Sequence, residues 1–191
     1  ILLQKGSVFM PLLKDYYTAE DYWNLSEGER AELIDGKFYN MAPPSLTHQT
    51  LSIELASTFR NYIKSKGGSC RALTAPFAVN LDANDKNWVE PDVMVVCNRD
   101  KLTERSCIGA PDLIIEIVSP SSRKIDYIKK NALYLDAGVK EYWIVDPMRK
   151  STLVYCYDED ATPIFYPFDT PIAVGIYPDL SITIADLLQT P

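Results

Sequence analysis

The sequence predicts an α+β (α/β) protein with a mixed central β-sheet flanked by helices, preceded by an N-terminal helix and a hairpin. Helical and strand-like segments alternate along the chain. A strand–helix–strand run from Asp112 to Asp146 should join two parallel strands of one sheet. The 191 residues suffice for one domain. We expect an N-terminal extension and helix over about 1–28 and a core over 29–191.

Short elements separated by proline and glycine make up the first half of the chain. Asp15 to Gly28 has a helical pattern, and Asp35-Gly36 between two short runs is typical of a two-residue hairpin turn. Pro43-Pro44-Ser45 interrupts the chain and offers an N-cap for a long helix over about Leu46 to Lys66. The apolar stripe of that helix consists of Leu51, Leu55, Phe59 and Tyr62.

The second half of the chain alternates strands with one further helix. A helix over about Ser122 to Ala137 ends at Gly138, and an apolar strand from Glu141 to Asp146 follows it. The remainder alternates in short strands and closes with a helix near Ala185–Gln189. Three strand-like runs precede the helix, at Ala75–Leu81, Asp92–Cys97 and Asp112–Val118.

Net charge and cysteine pattern restrict the class of protein. With 19 Lys and Arg against 26 Asp and Glu, the net charge of −7 argues against a protein that coats nucleic acid or membranes, but allows a local basic groove. No C-x-x-C pair is present and there is one histidine, so we expect neither a zinc site nor a disulfide framework. We expect reduced thiols and a cytoplasmic location. The cysteines are Cys70, Cys97, Cys107 and Cys156.

The N-terminal segment ILLQKGSVFMPLL is apolar only in pieces. Polar residues, a glycine and a proline interrupt it, at Gln4, Lys5, Gly6 and Pro11. It is therefore too broken for the core of a signal peptide and too short to span a bilayer. We expect no membrane partner.

One acidic residue stands inside an apolar strand. In DLIIEIVS, Glu116 shares one face with Ile114 and Val118, while Leu113 and Ile117 belong to the opposite face. Both faces are apolar, so this strand should be central and covered. An unpaired, ionised carboxylate there would cost several kcal/mol, so Glu116 needs a partner, a proton or a metal ion. A buried salt bridge with a lysine or an arginine is the purely structural alternative.

A second acidic residue makes this position more informative. Pro91-Asp92 opens the run VMVVC and places Asp92 at the start of another strand that should belong to the same sheet. Two carboxylates on neighbouring strands, directed into one cleft, form a suitable oxygen-ligand site for Mg²⁺ or Mn²⁺. The two residues together therefore predict a metal site.

Several segments resemble a known family of nucleases. Pro91-Asp92, followed after 23 residues by Glu116-Ile117-Val118, resembles the PD-(D/E)XK nuclease signature. From about Glu32 onward, the chain is similar to the Uma two-type restriction endonuclease family, a branch of that superfamily. The matching segments are ELIDGKFYNMAPPSLTH, PDVMVVC, GAPDLIIEIVSPSSRKID, YLDAGVKEYWIVDP and DLSITIADLL.

This resemblance implies a fold and an activity. The expected fold is restriction-endonuclease-like, and the expected activity is metal-dependent hydrolysis of phosphodiester bonds in DNA. Asp92, Glu116 and the backbone carbonyl of Ile117 would hold Mg²⁺ or Mn²⁺. Two alternatives stay open: an inactive nuclease-fold protein that binds DNA or protein, and a metal hydrolase of another phosphate ester.

The chain departs from the superfamily pattern at Val118, where a lysine is expected two residues after the glutamate. Without a cation, the site loses its means of orienting water and stabilising charge. The resemblance implies that Lys130 of the following helix replaces it, with Asp126 and Tyr134 as accessory residues. The alternative is an ion pair between Lys130 and Asp126 on a surface helix, worth ~0.3–0.5 kcal/mol.

A helical projection of this segment separates two stripes of large side chains. One stripe is apolar, and the other lies on the opposite side of the helix and contains the lysine. We therefore expect the helix to be wedged between the sheet and another surface. The apolar stripe consists of Ile125, Ile128, Ala132 and Leu135, and the other of Tyr127, Lys130 and Tyr134.

Two further residues are candidates for the site. Glu32 precedes the Asp35-Gly36 turn and is either a further acidic ligand, direct or through water, or an exposed strand residue. His48 stands in the first turn of the long helix on its apolar side, where a packed structural histidine is the alternative to an accessory role.

Two groups of basic residues could contact DNA phosphates. The alternative is that they form ordinary solvated helix faces. We also expect a homodimer, because nucleases that cut both strands often pair two active sites. The first group is Arg123, Lys124, Lys129 and Lys130, and the second is Arg60, Lys64 and Lys66.

Overall fold

The computed structural model describes residues 16–82, 85–158 and 162–189. The interrupted apolar N-terminus and the predicted helix start at Asp15 concern residues 1–15, which lie outside the described residues. Among the described residues, no helix is long and apolar enough to cross a membrane.

Helices and strands alternate as the sequence predicts. The helices are α1 (Ala19–Trp23), α2 (Leu46–Ser65), α3 (Asn131–Ala137) and α4 (Ile184–Leu187), with a 3₁₀ turn at Arg99–Lys101 and a π-helical turn at Ile125–Lys130. The first strands are β1 (Ala31–Ile34), β2 (Lys37–Asn40), β3 (Arg71–Thr74), β4 (Ala78–Asn80), β5 (Trp88–Val89), β6 (Val93–Val96) and β7 (Ser106–Ile108). The others are β8 (Leu113–Ile117), β9 (Glu141–Asp146), β10 (Ser151–Cys156), β11 (Ile164–Pro167), β12 (Ile172–Val174) and β13 (Tyr177–Ile182).

A six-stranded mixed sheet lies at the centre, in the order β11-β10-β9-β8-β6-β3. The predicted crossover is confirmed, because β8 and β9 pair in parallel with Leu113 opposite Glu141. β6 is antiparallel to β8 and pairs Val93 with Ile115. Asp92 immediately precedes β6, so this register brings it beside Glu116 at one end of the sheet.

Both faces of β8 are covered, as its two-sided apolar pattern predicts. Leu113, Ile115 and Ile117 belong to a core cluster that includes buried residues of α2. Ile114 and Val118 belong to a second cluster with Tyr134 of α3. Glu116 alternates with Ile114 and Val118, so it lies on the side of the sheet that faces α3.

A five-stranded sheet, in the order β2-β1-β5-β4-β7, contains the predicted hairpin. Asp35 and Gly36 have φ angles of 51° and 69°, which fit a two-residue hairpin turn with positive φ at both positions. β1 and β2 pair in the register that this turn dictates. The sheet also contains β5 and β7, which the sequence reasoning did not predict because they are only two and three residues long.

The helical segment after β8 has its two stripes on opposite sides, as the projection predicts, but within the described residues only one of them is covered. Its apolar stripe is largely exposed, with Ile128 at 61% and Leu135 at 46%, whereas Lys130 and Tyr134 are buried. The expectation that the helix is wedged between the sheet and another surface is therefore wrong, because the part of the chain that the structure describes covers only the side with Lys130 and Tyr134. The buried side therefore contains the charged and phenolic groups, which pair with acidic residues of the sheets.

The expectation of four reduced cysteines is wrong for two of them. Cys70 and Cys97 form a disulfide, while Cys107 and Cys156 are free. Antiparallel pairing of β3 and β6 places Arg71 opposite Val96, so the flanking cysteines become direct neighbours. This register is a long-range property that spacing along the chain does not reveal.

Candidate active site

A cleft of about 1020 Å³ lies at the end of the central sheet where β6 begins and β8 ends. Its walls come from the loop before α2, the first turns of α2, and the loop that follows β8. Of the acidic residues predicted for the site, Glu32, Asp92 and Glu116 lie in the sheets or at their ends, and Asp126 lies in the helical segment after β8. The residues that line the cleft include Glu32, His48, Asp92, Glu116, Ile117, Asp126 and Lys130.

The backbone of β8 orients Asp92. Oδ2 of Asp92 accepts a hydrogen bond from the amide of Ile117 at 2.7 Å. The Ser52 hydroxyl of α2 donates to the Asp92 carbonyl at 3.2 Å. The aspartate therefore bridges β6, β8 and α2, which fixes it at the floor of the cleft.

The carboxylate of Glu116 is buried and held at one oxygen. Its Oε1 accepts hydrogen bonds from Lys130 Nζ at 2.9 Å and from the Tyr134 hydroxyl at 2.6 Å. Burial raises the pKa of Glu116 well above its usual value, and although Lys130 opposes this, the neighbouring Asp92, Glu32 and Asp126 add to it. Excess negative charge is thus concentrated around this residue.

Lys130 lies among three carboxylates. Its Nζ is 2.9 Å from Glu32 Oε2, 2.9 Å from Glu116 Oε1 and 3.7 Å from Asp126 Oδ1. Burial alone would lower the pKa of Lys130, but these acids outweigh it and raise the pKa well above the usual value. The lysine is 4% exposed, so the predicted ion pair with Asp126 is present but buried, and not on a surface helix. A lysine that stays protonated supplies charge and cannot act as a base.

Glu32 is also buried, with an exposure of 4%, so the alternative of an exposed strand residue is wrong. Its Oε1 accepts the amide hydrogen of Glu90 at 2.9 Å, and its Oε2 pairs with Lys130. Both oxygens are therefore engaged by the protein, which favours a role in positioning Lys130.

His48 contacts one of the predicted metal ligands. Its Nε2 lies 3.1 Å from Asp92 Oδ2, while the buried Nδ1 has no hydrogen-bond partner among the described residues. Burial lowers the pKa of His48, but the hydrogen bond and charge of Asp92 outweigh this and raise it overall. The contact gives His48 a place in the site beyond packing.

Comparisons with known proteins show the family and the fold of this chain. A family model described as "Putative restriction endonuclease", Uma2, matches residues 14–185. The chain belongs to the Uma2 family. An uncharacterized protein of Synechocystis, slr1290, is 28% identical over 144 residues, which are 74% of each chain.

A solved structure from Anabaena variabilis, described as "a putative nuclease belonging to DUF820", has the same fold. Its TM-score is 0.74 at 22% identity, covering 89% of this chain and 96% of that one. The fold of this Uma2 protein is therefore restriction-endonuclease-like, and its family supports a nuclease.

The donor set of this Uma2 protein fits a divalent cation. Within the described residues, neither Asp92 Oδ1 nor Glu116 Oε2 accepts a hydrogen bond, and both residues line the cleft. No group of three or more His, Cys, Asp and Glu side chains among these residues forms a ready cage. Mg²⁺ needs no such cage, because it binds one or two carboxylates and keeps several waters.

The charge balance favours the same cation. Four carboxylates meet one buried lysine at this end of the sheet, namely Asp92, Glu116, Glu32 and Asp126. Burial raises the pKa of Asp126 to about 6, although Lys130 and Ser122 oppose the shift. A divalent cation would relieve this excess of negative charge.

Sequence reasoning missed several polar groups of the site. Ser119 and Ser122 form mutual hydrogen bonds in the loop after β8, and both line the cleft. The Ser-Pro-Ser-Ser run directly after the acidic strand was the available signal. Ser52 and the amide of Glu90 gave no signal, because their contacts depend on tertiary packing.

Proposed function

We propose that this protein is a metal-dependent endonuclease that hydrolyses phosphodiester bonds in DNA. Asp92, Glu116 and the carbonyl of Ile117 would hold Mg²⁺ or Mn²⁺. The observation that carries the proposal is the 2.9 Å contact between Lys130 Nζ and Glu116 Oε1 in the cleft. It supports the view that Lys130 of the helix supplies the positive charge that is missing from β8, where Val118 stands in place of the expected lysine.

The side chains divide the work of catalysis. Lys130 stabilises negative charge on the phosphate as the bond to the attacking oxygen forms, because it stays protonated. Glu32 and Asp126 hold Lys130 in position, and Tyr134 fixes one oxygen of Glu116 so that the other faces the cleft. The divalent cation, when bound, polarises the scissile phosphate and lowers the pKa of the attacking water.

An inactive DNA- or protein-binding module was the alternative that Val118 favours. A structural salt bridge between Lys130 and Glu116 would suit such a protein equally well, so support for the enzyme comes from the cleft that this pair shares with Asp92. Another phosphate ester as substrate would use the same groups. Homodimer formation and a cytoplasmic location stay predictions.

Nicking of supercoiled plasmid tests the proposal. We expect cutting with Mg²⁺ or Mn²⁺, none in EDTA, and a loss of at least about 10³-fold in Asp92→Asn. Asp136→Asn is the matched control, because Asp136 is an exposed carboxylate of α3. Full activity in folded Asp92→Asn, or equal cutting in EDTA, would contradict the proposal.

A further inference from the structure

A second hollow, of about 420 Å³, lies at the opposite end of α2 from the cleft. Arg60 and Lys64 of α2 and Arg71 of β3 line it. Within the part of the chain that the structure describes, none of these three cations forms a salt bridge. In a chain of net charge −7, they reverse the sign of the surface locally.

Two neighbouring cations differ because they already have polar partners. Lys66 pairs with Asp179, and Arg99 Nε donates to the Ser69 carbonyl at 2.8 Å. The hollow is thus the place in this region where cationic side chains face open space. An anionic ligand is the complementary occupant.

The hollow and the cleft share one face of α2. Gln49 and Ile53 line the cleft, whereas Arg60 and Lys64 line the hollow. At about 100° per residue, these four side chains fall within roughly 60° of one another around the helix. Ile53 is 63% exposed, and no acidic residue interrupts this stripe. A chain molecule that leaves the cleft along α2 therefore meets the cations.

β3 forms the other side of the same path. Thr74 at its end lines the cleft, and Arg71 at its start lines the hollow. β3 is an edge strand of the six-stranded sheet, and among the described residues no further strand pairs with its outer edge. The distance between these two positions is about 10 Å at 3.3 Å per residue. That distance corresponds to about three steps of a nucleic-acid strand at 3.4 Å each.

We propose that Arg60, Lys64 and Arg71, here called the basic track, bind the phosphodiester backbone of the DNA strand that passes through the cleft. This inference rests on the proposed function for the identity of the ligand. The contacts lie about three nucleotides beyond the edge of the cleft. Arg and Lys side chains on phosphates add affinity without reading bases. A substrate must therefore extend about three nucleotides beyond the cleft to contact the basic track.

The salt dependence of DNA binding tests the basic track. Anisotropy of a labelled duplex of about 20 base pairs is measured in EDTA for wild type, Arg60→Ala/Lys64→Ala and the control Lys37→Ala/Lys86→Ala. We expect the slope of log affinity against log salt to fall by about two in the first variant and to stay unchanged in the control. At low salt, the affinity of Arg60→Ala/Lys64→Ala for the duplex should be on the order of tenfold lower than that of wild type. Arg60→Lys/Lys64→Arg, which keeps both charges, should behave like wild type.

Substrate length provides a second readout. Because the basic track lies about three nucleotides beyond the cleft, the affinity difference between wild type and Arg60→Ala/Lys64→Ala should shrink as the duplex is shortened. It should be smallest for duplexes too short to reach from the cleft to the track. Equal slopes in wild type and Arg60→Ala/Lys64→Ala, an equal loss in the control, or no wild-type binding would overturn the inference. The binding assay does not require cleavage, so it can succeed even if the nuclease proposal fails. A change of salt slope in Arg60→Ala/Lys64→Ala without plasmid cutting would support the basic track and contradict the nuclease proposal.

Discussion

Two buried glutamates on neighbouring strands have opposite surroundings. Glu141 of β9 is 1% exposed, and its oxygens accept hydrogen bonds from the Trp143 indole at 2.7 Å and from the amides of Gly175 and Ile176 at 3.0 and 2.9 Å. Glu116 of β8 is 3% exposed, but Lys130 and Tyr134 contact only its Oε1.

The difference separates a structural carboxylate from a candidate ligand. Glu141 joins β9 to the segment around Gly175, and neutral donors contact both of its oxygens. Glu116 lines a cleft, pairs with a cation and has one oxygen, Oε2, that accepts no hydrogen bond from the described residues. Burial of an acid therefore says little about function until its donors are known.

Exchanging each glutamate for glutamine should have the largest effect and should separate the two roles. Glu116→Gln should lose metal-dependent plasmid cutting by at least about 10³-fold while staying folded, because one ligand charge is removed. Glu141→Gln should keep its activity per folded molecule but lose about 1–3 kcal/mol in urea unfolding, because an amide NH₂ cannot accept the Ile176 amide hydrogen. Loss of activity in folded Glu141→Gln would break the comparison.

Replacing the lysine of the site should have the next largest effect. Lys130→Met keeps the side-chain volume but removes the charge, so cutting should fall by about 10²–10³-fold. Lys129→Met is the matched control, because the adjacent lysine is exposed. Single-turnover cleavage rates measure the effect. A folded Lys130→Met variant that cuts at the wild-type rate would remove Lys130 from the mechanism.

The smallest effect should be the contribution of Asp126 to the pH dependence of the free energy of unfolding, measured without metal. Burial raises the pKa of Asp126 from its usual value of 3.8 to about 6 in the folded state, so the fold favours its neutral form. Its stabilising contribution is therefore present below about pH 4 and is lost as the pH rises through 6, by about 3 kcal/mol.

Urea unfolding in EDTA measures this contribution. The stability of wild type relative to Asp126→Asn should decline between pH 4 and 7, because asparagine does not titrate. Asp136→Asn, at an exposed position, should track wild type across that range. A flat difference between wild type and Asp126→Asn would show that Lys130 compensates the buried charge.

Local patterns predicted much of the fold. The Asp35-Gly36 turn, the long helix that became α2, and β8 and β9 all depend on neighbouring residues along the chain, and the structure confirms them. The three-residue strand β7 gave too short a pattern to detect. Two expectations were wrong: the disulfide was missed because strand register determines it, and the apolar stripe after β8 is exposed because no other element covers it among the described residues.

The sequence by itself determined the family, the mixed sheet and the pair of acids at Asp92 and Glu116. The family follows from the resemblance of several sequence segments, whereas the sheet and the two acids follow from the spacing and alternation of residues within a few strands. Only the tertiary structure decided that Lys130 contacts both Glu116 and Glu32, and that His48 contacts Asp92. These contacts join separate elements, so they depend on how the sheets and helices pack, which no local pattern encodes.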